Sequence, residues 1–177
     1  MDAYRFLARE HLLLNSLTSL IKGSRAEELP ERISDLLTKF KEIEKELAQV
    51  RSAAAMADIS KFAAGAKKIE GATFIANRIP DGIAVDDLRK IALELRNRES
   101  DSVVALVSVV EGKPVLVVAA SDAARARGVK AGALVKIGST VLGGGGGGKD
   151  DFAQGGGTEI AEIDKALQAI ELAISGK

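Results

Sequence analysis

Apolar residues mark out the chain before any single motif does. Phe6, Leu7, Leu13, Leu14, Leu17, Leu20 and Ile21 recur at helical spacing, which predicts a helix over residues 1–21. Gly23 is the expected stop. Ser24, followed three residues on by Glu27, has the form of a capping box for the next helix, and Pro30 falls where a missing backbone N–H does least harm.

The next stretch is more regular. Leu29, Ile33, Leu36, Phe40, Ile43, Leu47, Val50, Ala54 and Ala57 alternate spacings of four and three. A 3.5-residue repeat sustained over about four heptads is the pattern of a left-handed coiled-coil seam. Glu42, Glu44, Lys45 and Glu46 lie between these positions as a solvated face. A seam of this length needs cover. Either the first helix folds back on it as an antiparallel hairpin, with Gly23 in the turn, or a second copy of the chain packs against it.

Near Gly65 the period changes. Residues 72–77 suit a strand, and Pro80-Asp81-Gly82 is turn chemistry. An amphipathic helix follows from Val85 or Asp86 to Arg98. Residues 103–110 and 115–120 are two apolar strands joined tightly through Glu111-Gly112-Lys113, and so read as a hairpin. Ser121 caps a short helix to Arg127, residues 131–142 form another, and Thr158 is the expected cap of a last helix carrying Ile160, Ile163, Leu167, Ile170 and Leu172. The fold class is therefore α+β or α/β. A helical hairpin or coiled-coil arm, residues 1–66, precedes a small globular domain, residues 67–177. Its central sheet has the two long strands in the middle, with the strand at Ala72 and residues near Phe152 beside them.

Composition narrows the chemistry. Hydrophobic residues make up 46% and charged residues 28%, a foldable balance, while aromatics are only 3%, so the core must be aliphatic. There is no cysteine and one histidine, His11. Thiolate zinc sites, cysteine nucleophiles and multi-histidine metal sites are thereby excluded from this chain, and no metal site is expected. No apolar run reaches the roughly 20 residues that span a bilayer, and charges interrupt the N-terminal stretch where a signal peptide would be continuous. The expected setting is cytoplasmic, without a membrane partner.

Six consecutive glycines, Gly143, Gly144, Gly145, Gly146, Gly147 and Gly148, are followed by Lys149-Asp150-Asp151-Phe152-Ala153-Gln154 and a second cluster, Gly155 to Gly157. A flexible linker is the plain explanation. Only about 30 residues follow, however, too few for a core of their own. The other explanation is a backbone that lets a ligand approach closely, its bare N–H groups forming an anion-binding concavity. Lys149 could add charge, and Gln154 both a donor and an acceptor. The run is neither a Walker phosphate loop nor a dinucleotide fingerprint. Lysine plus arginine balance aspartate plus glutamate at 25 each. From Ser121 to Lys149, though, Arg125, Arg127, Lys130, Lys136 and Lys149 face the single acid Asp122, a local surplus of four suited to phosphate contacts. These five side chains serve equally well as solubilising residues on short helices.

The stretch from Gly143 to Gly157 resembles the end of alanyl-tRNA synthetases, where polyglycine is followed by a short polar segment, Ala-Gln and more small residues. Ala131-Gly132-Ala133-Leu134-Val135-Lys136 and Leu29-Pro30-Glu31-Arg32 are similar to that family too, so the likeness runs from about Leu29 to Leu172. The fold is shared with the DHH-associated domain of certain phosphoesterases, whose glycine loop ends in histidine; here Lys149 follows the glycines.

The resemblance implies a C-terminal module, often called C-Ala, made of a helical part and a globular part. It would recognise the elbow of tRNA(Ala), help couple aminoacylation with editing, and in some members dimerise through the helical arm. Its partners would be the tRNA and the catalytic and editing domains of the same chain, with residues 1–21 as the connecting tail. The expected tRNA-binding residues are Gly143 to Gly148, Lys149, Gln154, Arg125, Arg127, Lys130 and Lys136. The chain by itself would catalyse nothing and hold no cofactor. ATP, magnesium and zinc would belong to the parent alanine-tRNA ligase. The competing reading is the substrate-binding half of a DHH-family phosphoesterase.

Overall fold

The computed structural model describes residues 2–21, 25–63 and 65–176, with only the backbone of residues 2 and 3. The chain divides into two compact units, Met1–Leu47 and Ala48–Lys177.

The first unit holds helix α1 (Asp2–Leu20), a 3-10 turn (Ala26–Glu28) and the first part of helix α2 (Leu29–Ala57). The expected stop at Gly23 and the capping role of Ser24 lie outside the described residues. The helices are where the periodicity places them, but among the described residues α1 and α2 do not pack as an intrachain hairpin. Phe6 (62%) and Leu13 (57%) of α1 and Phe40 (59%) and Ile43 (62%) of α2 all stand in solvent. The sequence of α1 supplies a reason. Its apolar pairs Phe6-Leu7 and Leu13-Leu14 are interrupted by Glu10, where a continuous seam requires an apolar residue.

The second unit is a three-layer α/β/α body. After the end of α2 come α3 (Ile59–Ala63), β1 (Lys67–Ile69), β2 (Ala72–Arg78), α4 (Val85–Arg98), β3 (Ser102–Val110), β4 (Lys113–Ala120), α5 (Asp122–Ala126), α6 (Ala131–Val141), β5 (Gly145–Gly148), β6 (Phe152–Gly156) and α7 (Ile163–Ile174). The six strands run in the order β1-β2-β3-β4-β6-β5. Only β2 and β3 are parallel, joined by the α4 crossover; the other neighbours are antiparallel. The two long apolar strands are central, as their unbroken hydrophobic runs require when both faces are covered.

Alternation along β3 assigns the layers. Val103, Ala105 and Val107 join Leu134 and Val135 of α6 and Ile163 and Ile170 of α7 in one core. Val104 and Leu106 join Leu88, Ile91 and Leu95 of α4 in the other, with Ile59 of α3. Each fully buried Leu or Ile contributes roughly 1.5–3 kcal/mol. Between β3 and β4, Glu111 (φ 50°) and Gly112 (φ 74°) form a two-residue turn with both φ positive, which matches the twist of a hairpin.

Two expectations need correction. Thr158 does not cap the last helix: its hydroxyl donates to the Glu159 carboxylate (3.1 Å), and α7 begins after a 3-10 turn at Ile160–Glu162. The glycine run, read as a flexible linker or a ligand-binding backbone and not as a strand, is an edge strand for four of its six residues. Glycine has poor intrinsic strand preference, so only the pairing with β6 and the helix packed on it impose this conformation.

Candidate nucleic-acid interface

The site is built on the β5/β6 hairpin. Gly145 pairs with Gly156, Gly146 with Gly155, Gly147 with Gln154 and Gly148 with Ala153. The Lys149 N–H donates to the Phe152 carbonyl (2.9 Å) and closes the turn. The Ala131 N–H donates to the Asp150 carbonyl (3.0 Å), so the start of α6 is tied to that turn.

One face of the hairpin lies directly under α6. A Cβ at Gly146 would stand 2.5 Å from Val135 Cγ1, and one at Gly155 would strike the Ser139 hydroxyl. Cβ atoms at Gly144 and Gly157 would run into the carbonyls of Gly156 and Leu142. Gly146, Gly155 and Gly157 thus serve the close approach of the hairpin to α6 and its C-terminal end, and Gly144 the close approach of the hairpin's own two sides. The other face is different. A Cβ at Gly145 or Gly147 would meet nothing within 4 Å. Nothing among the described residues asks for glycine at these two positions. Beyond β5 the sheet has no further strand among the described residues, so its outer edge presents backbone groups that no neighbour pairs.

The expected cations divide. Lys149 and Gln154 lie with Gly147 and Gly148 along one open cleft. Lys130 reaches the hairpin turn through Asp150 (3.6 Å). Arg125 is bonded to Asp122, and that bond, with the charges of Asp122, Asp151 and Asp150, holds its guanidinium above its ordinary pKa. Arg127 is turned elsewhere. It pairs with Asp101 (2.9 Å) and donates to the Glu70 carbonyl, holding the β1–β2 turn. Lys136 is exposed on α6. Among the described residues, ion pairs occupy Arg125, Arg127 and Lys130 and leave Lys136 and Lys149 without one. The local surplus of four is therefore an overcount: Asp122 was already set against it, and Asp101 and Asp150, from outside the stretch, meet two more of the five cations. Gly143 (φ 71°) makes the bend from α6 into the strand.

Sequence reasoning missed Arg89. It sits on α4 with its guanidinium carbon 4.7 Å from the centre of the Phe152 ring, on the rim of the same cleft. Nothing in the local pattern separates it from any other charged residue on the polar side of an amphipathic helix.

A mixed sheet between two helical layers, edged by a glycine hairpin, defines a class: residues 71–176 match the DHHA1 domain family, and the chain belongs to it. Its particular likeness is to alanine–tRNA ligases. It is 44% identical over 97% of its length to that enzyme from Streptomyces avermitilis and 45% identical over 96% to that from a Nocardioides species. It spans 19% of each of these relatives. Among solved structures it is similar to the C-Ala domain of Aquifex aeolicus alanyl-tRNA synthetase, at TM-score 0.59 and 28% identity, over 63% of this chain and 98% of that one. RecJ from Thermus thermophilus, solved with Mg2+, shares the fold at TM-score 0.52 and 16% identity, over 89% of this chain and 22% of that one. No helix among the described residues is long and apolar enough to cross a membrane.

Proposed function

We propose that this chain is the tRNA-binding C-terminal module of an alanine–tRNA ligase, catalysing nothing alone and holding the elbow of tRNA(Ala) for the catalytic and editing domains of the same polypeptide. The observation that carries the reading is the open face at Gly145 and Gly147. Two positions lack a side chain without any packing reason, at the edge of a sheet, with Lys149 beside them. A bare backbone edge of this kind lets a phosphate or sugar come within hydrogen-bond distance of peptide N–H groups. Lys149 and Lys136 supply charge that no carboxylate of the described chain neutralises. The exposed seam of α2 adds a second role, pairing with a second copy through the helical arm.

Titration of the 177-residue chain with tRNA and with duplex DNA of similar length tests this. Tighter binding to tRNA, falling steeply with salt as counterions are released, is the expected result. Footprinting should then show protection confined to the elbow. Equal weak binding to both nucleic acids rejects the reading. Manganese-dependent hydrolysis of short oligonucleotides would assign the chain to the phosphoesterases instead.

A further inference from the structure

Phe152 opens β6 and is the residue two before Gln154, so the two side chains share the face of the hairpin opposite α6. Its ring is half-buried against the α4 layer. The guanidinium of Arg89 lies over that ring at 4.7 Å. Among the described residues Arg89 has no carboxylate partner, even though Asp86 stands one helical turn before it and Asp151 lines the same cleft. Its neighbour Lys90 takes Asp87 instead (2.8 Å). The guanidinium is thus positioned by an aromatic ring and not, among the described residues, by a salt bridge, and Arg89 is exposed.

Four further residues complete the place. Gly147 leaves the floor without a Cβ, and its register partner Gln154 is exposed beside it. Lys149 and Asp151 stand at the rim, and the whole is an open cleft of about 400 Å³. A flat ligand fits these features better than a phosphate does. A phosphate needs only the fork of a free guanidinium, gains nothing from Phe152 and is repelled by Asp151. A nucleobase stacks on an arginine plane, can lie close over a glycine, and offers amino and carbonyl groups to Asp151 and Gln154.

We infer that this cleft takes one exposed nucleobase of the bound RNA, stacked on the outer face of Arg89 with its edge bonded to Gln154 and Asp151. The inference rests on the tRNA-binding reading above. Arg89 is then a stacking residue that Phe152 holds in position, and Lys149 meets the phosphate that follows.

Arg89→Lys in the 177-residue chain decides it, measured by tRNA titration at several salt concentrations. The variant keeps the charge and loses the plane. Stacking predicts a loss of affinity on the order of ten-fold with an unchanged salt slope. Wild-type affinity in Arg89→Lys overturns the inference and leaves tRNA binding standing, since charge alone would then suffice. Failure of the wild-type chain to prefer tRNA overturns the binding reading itself. Phe152→Leu should reproduce the loss of Arg89→Lys. Circular dichroism and urea midpoints identify any unfolding in Phe152→Leu, in which case Arg89→Lys stands as the deciding variant.

Discussion

Val135 on α6 rests against the bare Cα of Gly146: a Cβ added there would lie 2.5 Å from its Cγ1. One position further along, at Gly147, the same atom would point into open space. Neighbouring glycines thus serve different ends. Gly146→Ala and Gly155→Ala are expected to destabilise the fold by about 1–3 kcal/mol, the usual range for overpacking a dense contact. Gly145→Ala and Gly147→Ala should leave stability unchanged or raise it by about 0.4–1 kcal/mol, through loss of unfolded-state freedom. Urea denaturation reads the first effect. tRNA titration reads the second pair, which should bind more weakly while remaining folded. Normal binding in Gly145→Ala and Gly147→Ala would mean that the open face touches no ligand.

The cations separate in the same way. Lys149→Gln and Lys136→Gln should each lower the slope of log affinity against log salt by about 1. Arg127→Gln should leave that slope alone and lower stability, because it removes the ties to Asp101 and the Glu70 carbonyl. A reduced salt slope in Arg127→Gln would place RNA at the β1–β2 turn as well.

The seam of α2 gives a third expectation. Leu36, Phe40 and Ile43 are exposed along one heptad stripe. Sedimentation of the wild-type chain should show association that rises with concentration, and Phe40→Glu should abolish it without changing helix content. A wild-type monomer at every concentration would exclude a second copy as the cover for this stripe.

Acid should expose a smaller contribution. The Asp87 carboxyl is held below its ordinary pKa of 3.8, first by its hydrogen bond from Lys90. A depressed carboxylate stabilises the fold above the ordinary range, and that stability is lost as pH falls through the lowered value. Wild type and Asp87→Asn should therefore differ in urea midpoint at neutral pH, with the difference shrinking as pH falls below 3.8 and vanishing only below the lowered value. A difference that persists there would trace to packing and not to the charge.

Much of the fold was readable because its signals are local. The 3.5-residue stripe of α2, the unbroken apolar runs of β3 and β4 and the capping of α5 by Ser121 each depend on residues close in the chain, and each stands where the pattern placed it. β1 was missed, since Lys67–Ile69 is too short for any alternation to show. The strand at Gly145–Gly148 was missed because glycine carries no pattern at all.

Residue order alone determined a helical N-terminal stretch, an aliphatic α/β body and a glycine run with lysine at its end, because period and composition act through neighbours in the chain. Tertiary structure decided which glycines lie beneath α6 and which face solvent, which cations are neutralised, and that Arg89 meets Phe152. Those outcomes depend on where separate elements land on one another, and a contact such as Arg127 with Asp101, 26 positions apart, leaves no trace in the local pattern of either residue.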